Sequence, residues 1–173
     1  RQSLWGRAGR SVTAEASTNN TLLKLTARWT PADDGKFTRL VVEQTPTGLK
    51  SRLETAPLQA TTRLASGTIQ SSLFAATDEA RLPDAIATQV AEIFSGDIDF
   101  HRALRKGDRF SITYETLEGD GEPLRTGKVL SAEFVNNNKT YQAMWFAQPG
   151  QKGGYYTLDG QSLRRAYLAS PME

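Results

Sequence analysis

Few side chains in this sequence could do chemistry, and their spacing excludes more than it offers. There is one histidine, His101, and no cysteine. A catalytic zinc generally takes three protein ligands converging on an open position, so His101 with scattered carboxylates falls short. Disulfides, thiolate sites and a cysteine nucleophile are excluded outright. Serines are plentiful, but no G-x-S-x-G elbow occurs. Nor does the G-x-x-x-x-G-K-[ST] phosphate loop. Asp97 and Asp99 stand two residues apart, yet an acid–base pair is defined by separation across a cleft, which spacing cannot supply. Asp99 reads more simply as the N-cap of a short helical pass over residues 99–106, with Phe100 and Leu104 inward, His101 on its surface and Gly107 as its stop. No catalytic residue and no metal ligand is assigned.

One group of residues could bind rather than react. Trp145, Phe146, Tyr155 and Tyr156 are aromatic, with Lys152, Arg164 and Arg165 nearby and Tyr167 just beyond. Aromatic faces beside cations suit a glycan, a muropeptide or a neighbouring domain. A packing explanation competes with this one and is favoured. Tyr141, Ala143, Trp145 and Ala147 alternate onto one strand face, with Gln142, Met144 and Phe146 on the other, and large aromatics dominate core area. The contact candidates are Trp145, Tyr155, Tyr156, Arg164, Arg165 and Tyr167.

Residues 1–66 read as a β-rich, partial N-terminal domain. Over residues 21–29, Leu23, Leu25 and Ala27 alternate with Lys24, Thr26 and Arg28, which marks a half-buried strand. Residues 37–44 return as its hairpin partner. Residues 49–54 and 58–64 are weaker strands divided at Pro57. Residues 67–173 read as a small α+β domain. A helix over residues 71–80 takes a Ser N-cap. A second, amphipathic helix over residues 82–95 aligns Leu82, Ile86, Val90, Ile93 and Phe94 in one stripe. Phe110, Ile112 and Tyr114 alternate along a strand at 109–115. Strands at 128–135 and 140–147 flank the turn-forming Asn136-Asn137-Asn138, and strands at 155–158 and 163–168 complete the α+β class.

With 173 residues and a net charge of +2, the chain carries no nucleic-acid footprint, because its basic residues never form a run. No apolar stretch approaches membrane-spanning length. The sequence begins without an initiator Met, so the expectation is a piece of a longer, exported or membrane-anchored protein.

Two segments carry a resemblance: GDIDFHRALRKGDRFSITYE, at residues 96–115, and GGYYTLDGQSLRRAYLASPM near the C-terminus. With the intervening GKVLSAEF and YQAMWF they resemble the non-catalytic, Csd3-like second-domain region upstream of the peptidase domain in M23 (LytM-type) zinc endopeptidases of peptidoglycan. The family's zinc motifs, H-x-x-x-D and H-x-H, are missing; position 105, four residues beyond His101, is Arg. The resemblance implies a LysM-like strand segment around residues 107–115, no hydrolysis by this chain, and zinc only in a catalytic domain beyond residue 173. It implies a positioning or autoinhibitory region of an enzyme that cleaves peptide cross-links, in the periplasm or cell envelope of a Gram-negative bacterium. The implied partners are its own catalytic domain, peptidoglycan and a regulatory protein. A stand-alone peptidoglycan- or protein-binding module is the alternative.

Overall fold

The computed structural model describes residues 2–5 and 10–163. Its strands are β1 (Gln2–Trp5), β2 (Arg10–Ala16), β3 (Leu22–Trp29), β4 (Lys36–Thr45), β5 (Gly48–Pro57), β6 (Gln59–Thr68), β7 (Arg109–Gly119), β8 (Glu122–Asn136), β9 (Lys139–Phe146) and β10 (Gly154–Tyr156). Two helices, α1 (Leu73–Glu79) and α2 (Asp84–Ile93), lie between β6 and β7. The strands form two five-stranded sheets, ordered β1-β2-β3-β4-β5 and β10-β9-β8-β7-β6. The chain divides into two compact units, one of residues 1–61 with 116–125, the other of residues 62–115 with 126–173.

In the first unit the register fixes which residues share a face. Thr26 pairs with Val41 and Arg28 with Arg39; Arg39 pairs with Glu54 and Phe37 with Ala56. Directly opposed residues lie on one side of a sheet, so Thr26, Arg28, Phe37, Arg39 and Val41 share a face. This face is the covered one: Thr26, Phe37 and Val41 are buried, and so is Leu124 of the β7–β8 hairpin end. The backbone of Gly119 lies against the Phe37 ring and Leu124. The turn residues Asp120 and Gly121 both have positive φ, 53° and 78°, the conformation that an Asp-Gly hairpin turn uses.

The alternation along β3 therefore runs opposite to the usual rule. The polar set Lys24, Thr26 and Arg28 lies on the covered side, and Leu23, Leu25 and Ala27 lie on the open side. The physical reason is pairing of charge. Asp120 accepts from Arg28 Nε at 2.6 Å and from Arg39 Nε at 2.8 Å and Nη2 at 2.6 Å. Arg39 also reaches Glu54 at 2.6 Å and stands over the Phe37 ring at 5.2 Å. Hydrogen bonds from Arg39, assisted by Arg28 and opposed by partial burial, bring the Asp120 carboxyl down to about 2. Arg125 closes the same region, donating to the Ala32 carbonyl at 3.0 Å.

The second unit is built around one apolar core. α1 starts at Ser72, whose side chain accepts from Ala75 N, and buries Leu73 and Ala76. α2 buries Ile86, Ala87, Val90 and Ile93, and Leu82 and Phe94 at its two ends are buried as well. Opposite them stand Phe110, Ile112 and Tyr114 of β7 and Val129, Ala132 and Phe134 of β8. Phe134 is the hub, with ring centroids of Phe100 at 5.3 Å, Phe110 at 6.4 Å and Phe94 at 6.5 Å. Gln89 of α2 reaches β8, donating to the Gly127 carbonyl at 3.1 Å and accepting from Val129 N at 2.9 Å.

The short helical pass expected over residues 99–106 is a single turn. Asp99 Oδ1 accepts from the backbone of His101 and Arg102, as an N-cap would, but the turn is not propagated. Asp108 diverts the backbone first. Its buried carboxylate accepts from Arg105 N at 2.8 Å, Asn136 Nδ2 at 2.7 Å and Asn137 N at 3.0 Å. Burial pushes this carboxyl up, but the three N–H donors outweigh it and hold Asp108 below its ordinary value. The expected strand at 163–168 lies outside the described residues beyond Leu163.

Candidate functional site

The arrangement best suited to contact a ligand lies on β9 and β10. Tyr155 pairs with Trp145, Tyr156 with Met144 and Gly154 with Phe146. The pairing separates the aromatics by face. Tyr155 is buried, donates its hydroxyl to the Val129 carbonyl at 2.9 Å, and packs edge-on to Trp145 at 5.2 Å. Lys128 Nζ sits 4.9 Å over the Trp145 ring. Tyr155 and much of Trp145 are thus held by packing, as the alternation of residues 141–147 implies.

The opposite face is open. Met144 and Phe146 are exposed there, Phe146 at 55%, and Phe146 meets Tyr156 edge-to-face at 6.1 Å. A tight turn then brings Leu158 alongside. Thr157 N donates to the Gln161 carbonyl at 2.8 Å, Gly160 N donates back to the Thr157 carbonyl at 3.0 Å, and Thr157 Oγ1 donates to Asp159. The result is a cleft of about 410 Å³ lined by Met144, Trp145, Phe146, Tyr156, Leu158 and the polar Gln148, Gln151, Lys152 and Thr157. Lys152 is the one charged residue among those lining it. Among the described residues its wall holds no acid and no histidine, and it suits an apolar or aromatic-stacking group beside an anionic one.

Of the residues named from sequence, Trp145 and Tyr156 line this cleft and Tyr155 supports it from the buried side. Arg164, Arg165 and Tyr167 lie outside the described residues. The sequence list left out Met144, Phe146 and Leu158. The signal for the first two was present in the alternation, which puts them on the face opposite Trp145. Leu158 enters through a turn that no periodicity marks.

His101 is exposed, and among the described residues no three His, Cys, Asp or Glu side chains cluster as metal ligands. No helix among them is long and apolar enough to cross a membrane.

Two antiparallel sheets, a helix-backed core and an open aromatic cleft make up the described residues. Comparison with known proteins makes this specific. The model of the Csd3 second domain matches residues 59–173, and the chain belongs to that family. It is similar to two peptidoglycan DD-endopeptidases of Vibrio cholerae serotype O1. Against ShyC it is 26% identical over 137 residues, covering 79% of this chain and 31% of ShyC. Against ShyA it is 26% identical over 170 residues, covering 96% and 37%. The chain therefore spans about a third of the length of these relatives. Its fold is similar to that of Helicobacter pylori Csd3, with a TM-score of 0.52 at 16% identity over 85% of this chain and 38% of that one. It is also similar to a zinc-containing peptidase from V. cholerae, with a TM-score of 0.55 at 17% identity over 89% and 45%.

Proposed function

We propose that this chain is the non-catalytic positioning or autoinhibitory region of a cell-wall endopeptidase that cleaves peptidoglycan peptide cross-links. The observation that carries it is the family match across residues 59–173. The named activities of ShyC and ShyA supply the substrate. Zinc belongs to the catalytic domain with which this region works. The boundary near residue 66 is part of the same proposal, supported by a family match that begins at residue 59. So is residence in the periplasm or cell envelope, where that substrate lies. The β9–β10 cleft is the contact surface, with Trp145 and Tyr156 in its wall. Arg164, Arg165 and Tyr167 follow in sequence.

Adding the purified chain to the isolated peptidase domain of a related DD-endopeptidase tests this reading, with calorimetry and muropeptide release as readouts. Binding with lost hydrolysis identifies an inhibitory region, which needs only a difference in stability between closed and open states. Binding without loss identifies a positioning region. Sedimentation with isolated sacculi but not with the peptidase domain identifies a stand-alone binding module. Binding to neither removes the proposal.

A further inference from the structure

The two sheets leave four outer strands, and three of them are guarded against pairing. An outer strand presents unpaired N–H and C=O groups, and proteins blunt it with shortness, charge or proline. β1 has four residues and β10 has three. β5 has ten, but it carries Lys50, Arg52, Glu54 and Pro57, and Arg52 is tied to Glu43 at 2.9 Å and Glu54 at 2.5 Å. β6 also has ten residues, QATTRLASGT, with Arg63 its one charge and no proline. Among the described residues no strand pairs with β6 on the side away from β7.

The two faces of β6 differ, the outer one being exposed and the helix-side one partly covered. A Cβ built on Gly67 would lie 2.6 Å from the Phe110 ring, and Ala65 packs on the core. Arg63, Ala65 and Gly67 therefore share the helix-side face, and Thr62, Leu64, Ser66 and Thr68 share the outer one. Leu64 is 78% exposed. On the helix side a cleft of about 250 Å³ runs from Gly67 to Gln70, Ala76 and Glu79.

We infer that β6 pairs antiparallel with β6 of a second copy of this chain, about a two-fold axis at Ala65. That register sets Thr62 opposite Thr68, Leu64 opposite Ser66 and Arg63 opposite Gly67. The single charge on the strand then faces the residue that has no side chain, so no like charges meet. It also lies on the helix side, beside the cleft that ends at Glu79. Arg63 is engaged within its own chain and exchanges that interaction for the second copy's Glu79. On the outer side the two Leu64 residues become diagonal neighbours, within reach of one another. An isologous contact of this kind closes on itself as a dimer and joins the two sheets into one.

Sedimentation equilibrium of the chain tests the pairing. A monomer–dimer equilibrium is expected, with Kd in the range of roughly 10–100 µM. Leu64→Lys, at an exposed site, should weaken it by about tenfold or more, as should Glu79→Lys. Leu53→Lys, on the open face of the other sheet, should leave it unchanged. Amides of residues 62–68 should gain hydrogen-exchange protection as concentration rises. A chain still monomeric at about 0.5 mM overturns the inference. So does a dimer abolished by Leu53→Lys or by Phe146→Ser while Leu64→Lys dimerises normally.

Discussion

The two units put their apolar residues to opposite use. The unit containing α1 and α2 turns Ile112, Val129 and Phe134 inward and covers them with helices. The unit containing β1–β5 covers the face that carries Arg28 and Arg39, and leaves Leu23, Leu49 and Leu53 exposed, Leu53 at 68%. Hydrophobic burial dominates where a second layer is present, because a sheet gains stability by packing one face on another element. Where only a hairpin end is available, a small patch of Phe37, Val41 and Leu124 suffices, rimmed by charges that satisfy one another. Unequal stability of the two units follows, the helix-backed one being the firmer.

The largest effect should come from the hub of the helix-backed core. Phe134→Ala removes a ring in contact with three others and should cost about 3–5 kcal/mol, read from urea unfolding. A loss below about 1 kcal/mol would mean that this core is no better packed than the other unit.

A middle-sized effect is expected at Asp120. Its folded value of about 2 lies below the ordinary 3.8, so its carboxylate contributes stability that is full above pH 3.8. That contribution is lost as pH falls through about 2. Asp120→Asn should lower stability by about 1–2 kcal/mol at neutral pH, less than the full shift because the group is partly solvated. The variant should also flatten the acid limb of the pH–stability curve for the β1–β5 unit. An unchanged acid limb would show that the two arginines do not act through this carboxylate.

The smallest effect should be on the open face. Leu53→Lys should change stability by under about 0.5 kcal/mol, because among the described residues nothing covers Leu53. A loss of several kcal/mol would show that the face is buried in solution, and the contrast between the units would fail.

The helix-backed unit was legible because its periodicities agree with its packing. The three- and four-residue spacing of Ile86, Val90 and Ile93 put them on one side of a helix, and the alternation of Phe110, Ile112 and Tyr114 put them under it. The turn at Asn137-Asn138, both with positive φ, was equally plain. The β1–β5 unit was legible as strands but not as faces. Alternation in residues 22–29 says that two sides differ, not which one is covered, and the deciding partner, Asp120, lies about ninety residues away in sequence. Pairing at such distance leaves no local pattern. The cleft was half legible for a related reason: the aromatics of residues 145–156 stand out by type, but only strand pairing sorts Phe146 and Tyr156 outward and Tyr155 inward.

Gln89 gives the helix-backed unit something that grease alone does not. Oily surfaces slide, and a helix resting on a sheet through Ile86, Val90 and Ile93 could shift by a turn and still find apolar neighbours. The Gln89 amide matches one carbonyl and one N–H on β8, at Gly127 and Val129, and imitates the edge of a peptide group. It works as a key cut for a single lock position. A helix displaced along the strand would strand both ends of that amide in an apolar setting. Gln89→Leu should therefore leave a helix that is still bound but no longer uniquely seated, visible as broadened methyl resonances along α2 in place of one sharp set.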